Sequence, residues 1–139
     1  MNKDLWTQIG FLIAVVAATG SLFFSEVMKL PPCILCWYQR IFMYPLVFIF
    51  AVGLFRKTKD TFIHSAVLSC TGLAIAIYHN LLYYKLIPEN ITPCTTGVSC
   101  TSKQIEWFGF ITIPLMSLTT FVIVGLCLVF YRPKDETTK

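Results

Sequence analysis

Four apolar runs, near Ile9–Met28, Trp37–Phe55, Phe62–Tyr84 and Phe108–Tyr131, take up most of this 139-residue chain. Each has about the 20 residues a helix needs to cross the hydrocarbon of a bilayer. Lipid offers the backbone no hydrogen-bond partners, so each crossing segment must satisfy its own amides and carbonyls, which a helix does. Composition agrees: the chain is 56% hydrophobic and only 13% charged. A soluble domain of this size has nowhere to hide so much apolar surface. The expectation is an all-α membrane protein, a four-transmembrane-helix up-down bundle. Residues 1–139 form a single integral-membrane domain, with loops 29–36 and 85–107 at one end. The first run is longer than the apolar part of a secretory signal, has a weak basic start (Lys3, Asp4) and precedes three more spans, so it reads as retained. The tail Arg132–Lys139 reads as solvated and disordered.

Charge placement sets the orientation. Lys3, Arg56, Lys57, Lys59, Arg132, Lys134 and Lys139 fall at one end, against Lys29, Arg40, Lys85 and Lys103 at the other. Lys and Arg accumulate on the cytoplasmic side, most reliably in short loops such as Arg56-Lys57-Thr58-Lys59. Both termini are therefore expected in the cytoplasm, and the net charge of +4 reflects topology rather than nucleic-acid binding. Trp6, Trp37, Tyr38, Tyr83, Tyr84, Trp107 and Tyr131 lie near span ends, where amphipathic rings settle. Pro45 and Pro114 read as lying inside spans, where a kink is tolerated if neighbours take up the freed carbonyls.

Four of the six cysteines form two pairs, Cys33-Ile34-Leu35-Cys36 and Cys94 with Cys100. Two crossings separate the pairs, so both face the same compartment whichever way the chain inserts. With the termini inside, that compartment is extracytoplasmic, where disulfides persist. Two dithiols at one membrane surface suggest electrons passed from pair to pair. Pro31 and Pro32 cannot extend a helix backward, so the second span should begin close to Cys33 or Cys36. Free amides and the positive end of the helix dipole then favour thiolate there. Arg40 follows Cys36 by one turn on the same face. An arginine just inside a span either stabilises negative charge on a thiolate or docked acceptor, or anchors at the headgroups.

Bland readings stand beside these. The C-x-x-C spacing also suits zinc, with the second pair or a histidine completing the ligands, or the pairs could be structural disulfides. Cys94 and Cys100 enclose Thr95-Thr96-Gly97-Val98-Ser99 after Pro93, which reads as a mobile, exposed loop with an accessible disulfide. Cys70 and Cys127 sit singly in spans three and four and read as small, buried, inert residues. His79, near the outward end of span three, is either a hydrogen-bonded bundle residue or part of the site. His64 has no functional company.

Taken together, Pro32-Cys33-Ile34-Leu35-Cys36-Trp37-Tyr38-Gln39-Arg40 opening span two, Pro93-Cys94 and Cys100 in the next outward loop, and Trp107-Phe108-Gly109 before Pro114 resemble the DsbB family of membrane disulfide-generating oxidoreductases. The likeness is strongest to its shorter BdbC-type branch from Gram-positive bacteria. It implies a bacterial plasma-membrane protein that reoxidises an extracytoplasmic thioredoxin-fold oxidase of the DsbA or BdbD type and passes two electrons to a membrane quinone, menaquinone or ubiquinone. It further implies that the partner attacks Cys94, that Cys100 links transiently to Cys33, and that Cys36 contacts the quinone. Arg40 matches the family arginine at the quinone site, and His79 a histidine placed near it. No metal is implied. Only five residues separate Cys94 from Cys100, shorter than in the Gram-negative pattern, which leaves the order of exchange open.

Chemistry independent of the resemblance also favours a quinone. Reoxidising a strongly oxidising disulfide needs an acceptor of still higher potential, and about 30 mV already amounts to about 1.4 kcal/mol for two electrons. A nicotinamide or flavin would need its own domain, and the seven glycines never form G-x-G-x-x-G. The rival readings are a quinone reductase of the vitamin K epoxide reductase type, in which the active C-x-x-C follows the loop pair, a zinc-binding membrane protein, and a structural membrane subunit.

Overall fold

A computed structural model describes residues 3–56, 59–88, 94, 97–102, 106–107 and 111–131. The expectations for Lys57, Thr58, Pro93, Thr95, Thr96, Lys103, Phe108, Gly109 and the tail Arg132–Lys139 lie outside the described residues. Four helices run in chain order: α1 (Lys3–Glu26), α2 (Ile34–Arg56), α3 (Lys59–Tyr83) and α4 (Ile113–Phe130). All four are long and apolar enough to cross a membrane.

Each helix packs against two neighbours, α1 and α3 each touching both α2 and α4. Trp6, at the start of α1, stacks on Phe130 at the end of α4 with ring centroids 4.9 Å apart. Phe62, early in α3, meets Tyr131 just past α4. The bundle is thus up-down-up-down, with the start of α1 and the end of α4 at the same end. Its core is the cluster Ala14, Met43, Leu46, Phe50, Ala76, Phe121, Val124 and Leu128. Outward faces are also apolar, with Phe48, Phe55 and Val129 more than 70% exposed. Such a surface belongs against lipid tails, and the chain is a multi-pass membrane protein.

Lipid tails are as apolar as the core, so close approach between helices has to come from small residues. A Cβ on Gly72 of α3 would run into the Phe121 ring of α4, and one on Gly53 of α2 would lie 2.9 Å from Thr61 of α3.

Helix ends depart from the sequence expectation in ways that bear on the site. α1 begins six residues earlier than Ile9 and stops at Glu26. It closes with Met28 N–H bonded to the Phe23 carbonyl and Leu30 N–H to that of Phe24, and Lys29 takes a left-handed φ of 55°. α3 ends similarly, with Leu86 N–H on the Leu81 carbonyl and Lys85 at φ 57°. Both are αL closures of the kind that satisfy orphan carbonyls.

Span four needs the largest correction. Among the described residues α4 begins only at Ile113, and just before it β2 (Ile111–Thr112) pairs antiparallel with β1 (Glu106–Trp107). Pro114, expected inside span four, occupies the first turn of α4 after an extended Thr112. There its missing N–H costs nothing, because first-turn amides have no intrahelical partner. Asn80 of α3 secures this end by donating to the carbonyls of Ala76 and Pro114, both at 2.8 Å. Pro45 does lie within α2.

A candidate dithiol and disulfide centre

α2 begins at the first cysteine pair. The Cys33 carbonyl accepts the first helical hydrogen bond, from Trp37 N–H at 3.1 Å, which makes Cys33 the N-cap. Its sulfur takes the place of the usual capping oxygen, accepting from the Cys36 N–H at 3.4 Å. Cys36, three residues on, brings its own sulfur to 2.8 Å from Sγ of Cys33. Both are free thiols, whereas Cys94 and Cys100 are joined in a disulfide.

The tertiary fold brings the two pairs together. Cys33, Leu35, Leu82, Cys94 and Cys100 form one buried cluster, with Cys36, Ile75, Tyr78 and Ile87 packed against it. The expected exposed loop disulfide is therefore corrected. Cys94 is 7% and Cys100 3% exposed, because the loop folds its sulfurs inward onto the end of the bundle rather than offering them to solvent. A second correction concerns Cys70, which faces outward from α3 while Cys127 is buried as expected.

Cys33 is held well below the usual thiol pKa. The hydrogen bond from Cys36 is the main cause. Burial opposes it, and His79 and the Cys36 amide assist. In the reduced pair, negative charge thus rests on Cys33.

His79, 1% exposed, directs Nε2 at Cys33 Sγ, 3.8 Å away and 46 residues apart in sequence. Its other nitrogen, Nδ1, lies 3.2 Å from the Gln39 amide nitrogen. Gln39 carries no role in the sequence reading. A signal for it exists, since Leu35, Gln39, Met43, Leu46, Phe50 and Gly53 are the buried positions of α2 at helical spacing. One polar member of an apolar stripe in a membrane helix marks a place where something must be hydrogen-bonded.

Arg40 points elsewhere. Its guanidinium lies over the Trp37 ring at 5.6 Å and donates to the Ser21 carbonyl of α1 at 2.8 Å. It thereby lines a cleft of about 280 Å³ between α1 and α2, together with Leu22, Leu30, Trp37 and Tyr44. His79 is not among the cleft residues. The Tyr44 hydroxyl is buried with no hydrogen-bond partner among the described residues.

Sγ of Cys33, Sγ of Cys36 and a His79 ring nitrogen lie within 4.8 Å of one another, a set of donor types that could hold a soft cation. Two thiolates on tetrahedral zinc, with Zn–S of about 2.3 Å, stand about 3.8 Å apart. The 2.8 Å approach of these sulfurs is tighter and suits a pair about to form a bond.

A reduced dithiol against a buried disulfide, at one end of a four-helix membrane bundle, defines a membrane thiol-disulfide oxidoreductase. Family comparison agrees: the family described as disulfide bond formation protein DsbB matches residues 3–131, and the chain belongs to that family. It is 42% identical to the probable disulfide formation protein C 2 of Bacillus cereus over 94% of this chain and 92% of the relative. It is equally 42% identical to the disulfide bond formation protein C of Bacillus subtilis, over 91% of this chain and 94% of the relative. No solved structure matches the chain.

Proposed function

We propose that this protein reoxidises an extracytoplasmic thioredoxin-fold oxidase and delivers the electrons to a membrane quinone, with both termini in the cytoplasm of a bacterial cell and the cysteine pairs outside. The observation that carries the reading is the single buried cluster holding Cys33 and the Cys94–Cys100 disulfide. Two pairs packed into one cluster can be brought into exchange by local movement of the loop rather than of the bundle.

The steps follow as thiolate exchanges. A partner thiolate attacks Cys94, forming a mixed disulfide and releasing Cys100. Because Cys94 is buried, the partner must first lift the loop. Cys100 then attacks Cys33 of an oxidised Cys33–Cys36 pair, leaving Cys36 as thiolate one turn from Arg40. The charge preference for Cys33 in the free dithiol does not conflict with this assignment, because in that state Cys33 is bonded to Cys100 and cannot carry charge.

The cleft beside Arg40 fits a quinone ring. Leu22, Leu30 and Trp37 supply apolar walls, and Arg40 and the unpartnered Tyr44 hydroxyl supply donors for carbonyl oxygens, the usual build of a small-molecule site. A bound quinone supplies the two-electron acceptor. The role of His79 as a quinone residue rests on the family resemblance, whereas its geometry supports service to Cys33.

The test mixes purified protein, a soluble quinone and a reduced thioredoxin-fold oxidase, and follows quinone absorbance. Wild-type protein should consume quinone in proportion to partner thiols oxidised, and Cys36→Ser should abolish turnover. Normal turnover by Cys36→Ser would sink the assignment.

A further inference from the structure

Gln39, His79 and Cys33 form a buried line across the α2–α3 interface, all at most 5% exposed. A neutral imidazole carries one ring proton, and the group facing each nitrogen decides where it sits. The Gln39 amide nitrogen, 3.2 Å from Nδ1, is a donor, so Nδ1 accepts and the proton resides on Nε2. That nitrogen faces Cys33 Sγ at 3.8 Å. Burying a primary amide on the interior stripe of a membrane helix costs free energy unless it is hydrogen-bonded, and here its partner is the imidazole.

We propose that Gln39 is a positioning residue: by holding His79 in the Nε2–H form it aims a hydrogen-bond donor at Cys33 and makes that sulfur a better leaving group. The inference deepens the exchange sequence proposed above and rests on it for the step at which the donor acts. Once the partner has departed, the Cys94 thiolate attacks Cys100 of the Cys33–Cys100 disulfide. The Cys94–Cys100 bond forms, the Cys33–Cys100 bond breaks, and the electron pair stays on Cys33. One thiolate is consumed and one produced, with no net oxidation and no proton transferred. The Nε2–H of His79 meets the new charge with a charge-assisted hydrogen bond, and a leaving thiol of lower pKa departs faster.

Among the described residues, the remaining surroundings offer little else to hold that charge. Around the sulfur stand Cys36, and Arg40 a turn further on, from α2, and His79 and Tyr78 from α3. The loop contributes the non-titrating disulfide, and the rest of the cluster is Leu35, Leu82, Ile75 and Ile87.

The test isolates Cys33. In a chain carrying Cys36→Ala, Cys70→Ala, Cys94→Ala, Cys100→Ala and Cys127→Ala, Cys33 is the one cysteine left of six, and its alkylation rate is followed against pH. Adding Gln39→Met should move the midpoint up by about one pH unit, a tenfold loss of thiolate below both midpoints. His79→Phe should do the same, and the double variant no more than either alone, since one residue acts through the other. An unchanged midpoint in Gln39→Met overturns the proposal, as does a Gln39→Met shift that survives undiminished in the His79→Phe background. Should Gln39→Met lose helical circular dichroism, Gln39→Asn replaces it, a polar side chain too short to reach Nδ1, with the same shift expected and an unmoved midpoint equally fatal. Independently, imidazole nitrogen chemical shifts in the intact protein should report the Nε2–H tautomer, and the Nδ1–H tautomer would overturn it. Neither readout uses quinone or partner, so failure here leaves the proposed activity standing, and failure of the quinone assay leaves these readings intact.

Discussion

Arg40 on α2 donates a hydrogen bond to the main-chain carbonyl of Ser21 on α1 at 2.8 Å. The bond ties together the two helices that wall the cleft, and Trp37 covers the guanidinium from one side. An arginine at this depth costs a few kcal/mol unless paired. Here the carbonyl and the ring face offset that cost while the side chain lines the cleft.

Replacing Arg40 with Met should lower kcat/KM for quinone by about 10- to 100-fold, as expected for loss of a charged donor worth about 1.5–3 kcal/mol. The Cys94–Cys100 disulfide should still form. Arg40→Lys should fall between, keeping charge but not the fork. Steady-state quinone kinetics with thiol trapping in parallel check this, and wild-type kinetics in Arg40→Met would reduce Arg40 to a structural tie.

Tyr44 gives a cleaner contrast, because its hydroxyl has no partner among the described residues. Tyr44→Phe should leave thermal stability unchanged or slightly higher, since an unsatisfied buried group is removed. The KM for quinone should rise about fivefold, the worth of one hydrogen bond of about 1 kcal/mol. A variant with unaltered KM would mean that the hydroxyl does not face the bound ring.

For the outer pair, covalent trapping distinguishes the two sulfurs. With Cys100→Ala, a mixed disulfide between Cys94 and the partner should accumulate on non-reducing gels, because no second thiolate remains to move the reaction onward. Cys94→Ala should yield none. The opposite pattern would exchange the roles of the two cysteines.

The pH dependence of the inner pair follows from Cys33. Its folded pKa lies below the unfolded thiol value, chiefly through the hydrogen bond from Cys36. The reduced folded state therefore gains stability as pH rises from the folded pKa toward about 8.5, and loses it as pH falls through the folded value. A thiolate favoured by the fold favours the reduced pair, which should make the Cys33–Cys36 disulfide more oxidising than an ordinary one. With one sulfur already deprotonated, the reduction potential of this pair should change by about 30 mV per pH unit near neutrality. Equilibration with thiol buffers measures it, and a slope of about twice that would show Cys33 still protonated.

Helix packing can be tested at two glycines. Gly72→Ala drives a Cβ into the Phe121 ring, and relieving that clash should cost about 1–3 kcal/mol of stability. Gly20→Ala meets nothing within 4 Å and should be neutral or stabilising by up to about 1 kcal/mol. Thermal unfolding in detergent compares the two, and equal effects would contradict the α3–α4 contact.

Much of this site was legible in the chain itself. Apolar runs long enough to cross lipid set the four helices and their alternation, because a segment in hydrocarbon has only its own backbone to bond with. Two crossings between Cys33-x-x-Cys36 and Cys94 put both pairs at one end, and the proline pair before Cys33 placed a helix start at the first sulfur. These are local constraints that need no knowledge of neighbours.

What only the assembled bundle decided lies in contacts between distant segments. Pro114 could be read as a kink inside span four until β2 ran extended up to Thr112 and α4 began beside it. Loop composition suggested an exposed disulfide, yet Cys94 and Cys100 turn inward, because Cys33, Leu35 and Leu82 offer an apolar surface on which sulfur is better buried than wet. Gln39 looked like one more letter in a motif until His79, on another helix, supplied the partner that gives its amide a purpose. A hydrogen bond across 40 residues depends on how two helices are rotated against each other, which no local pattern of residue types specifies.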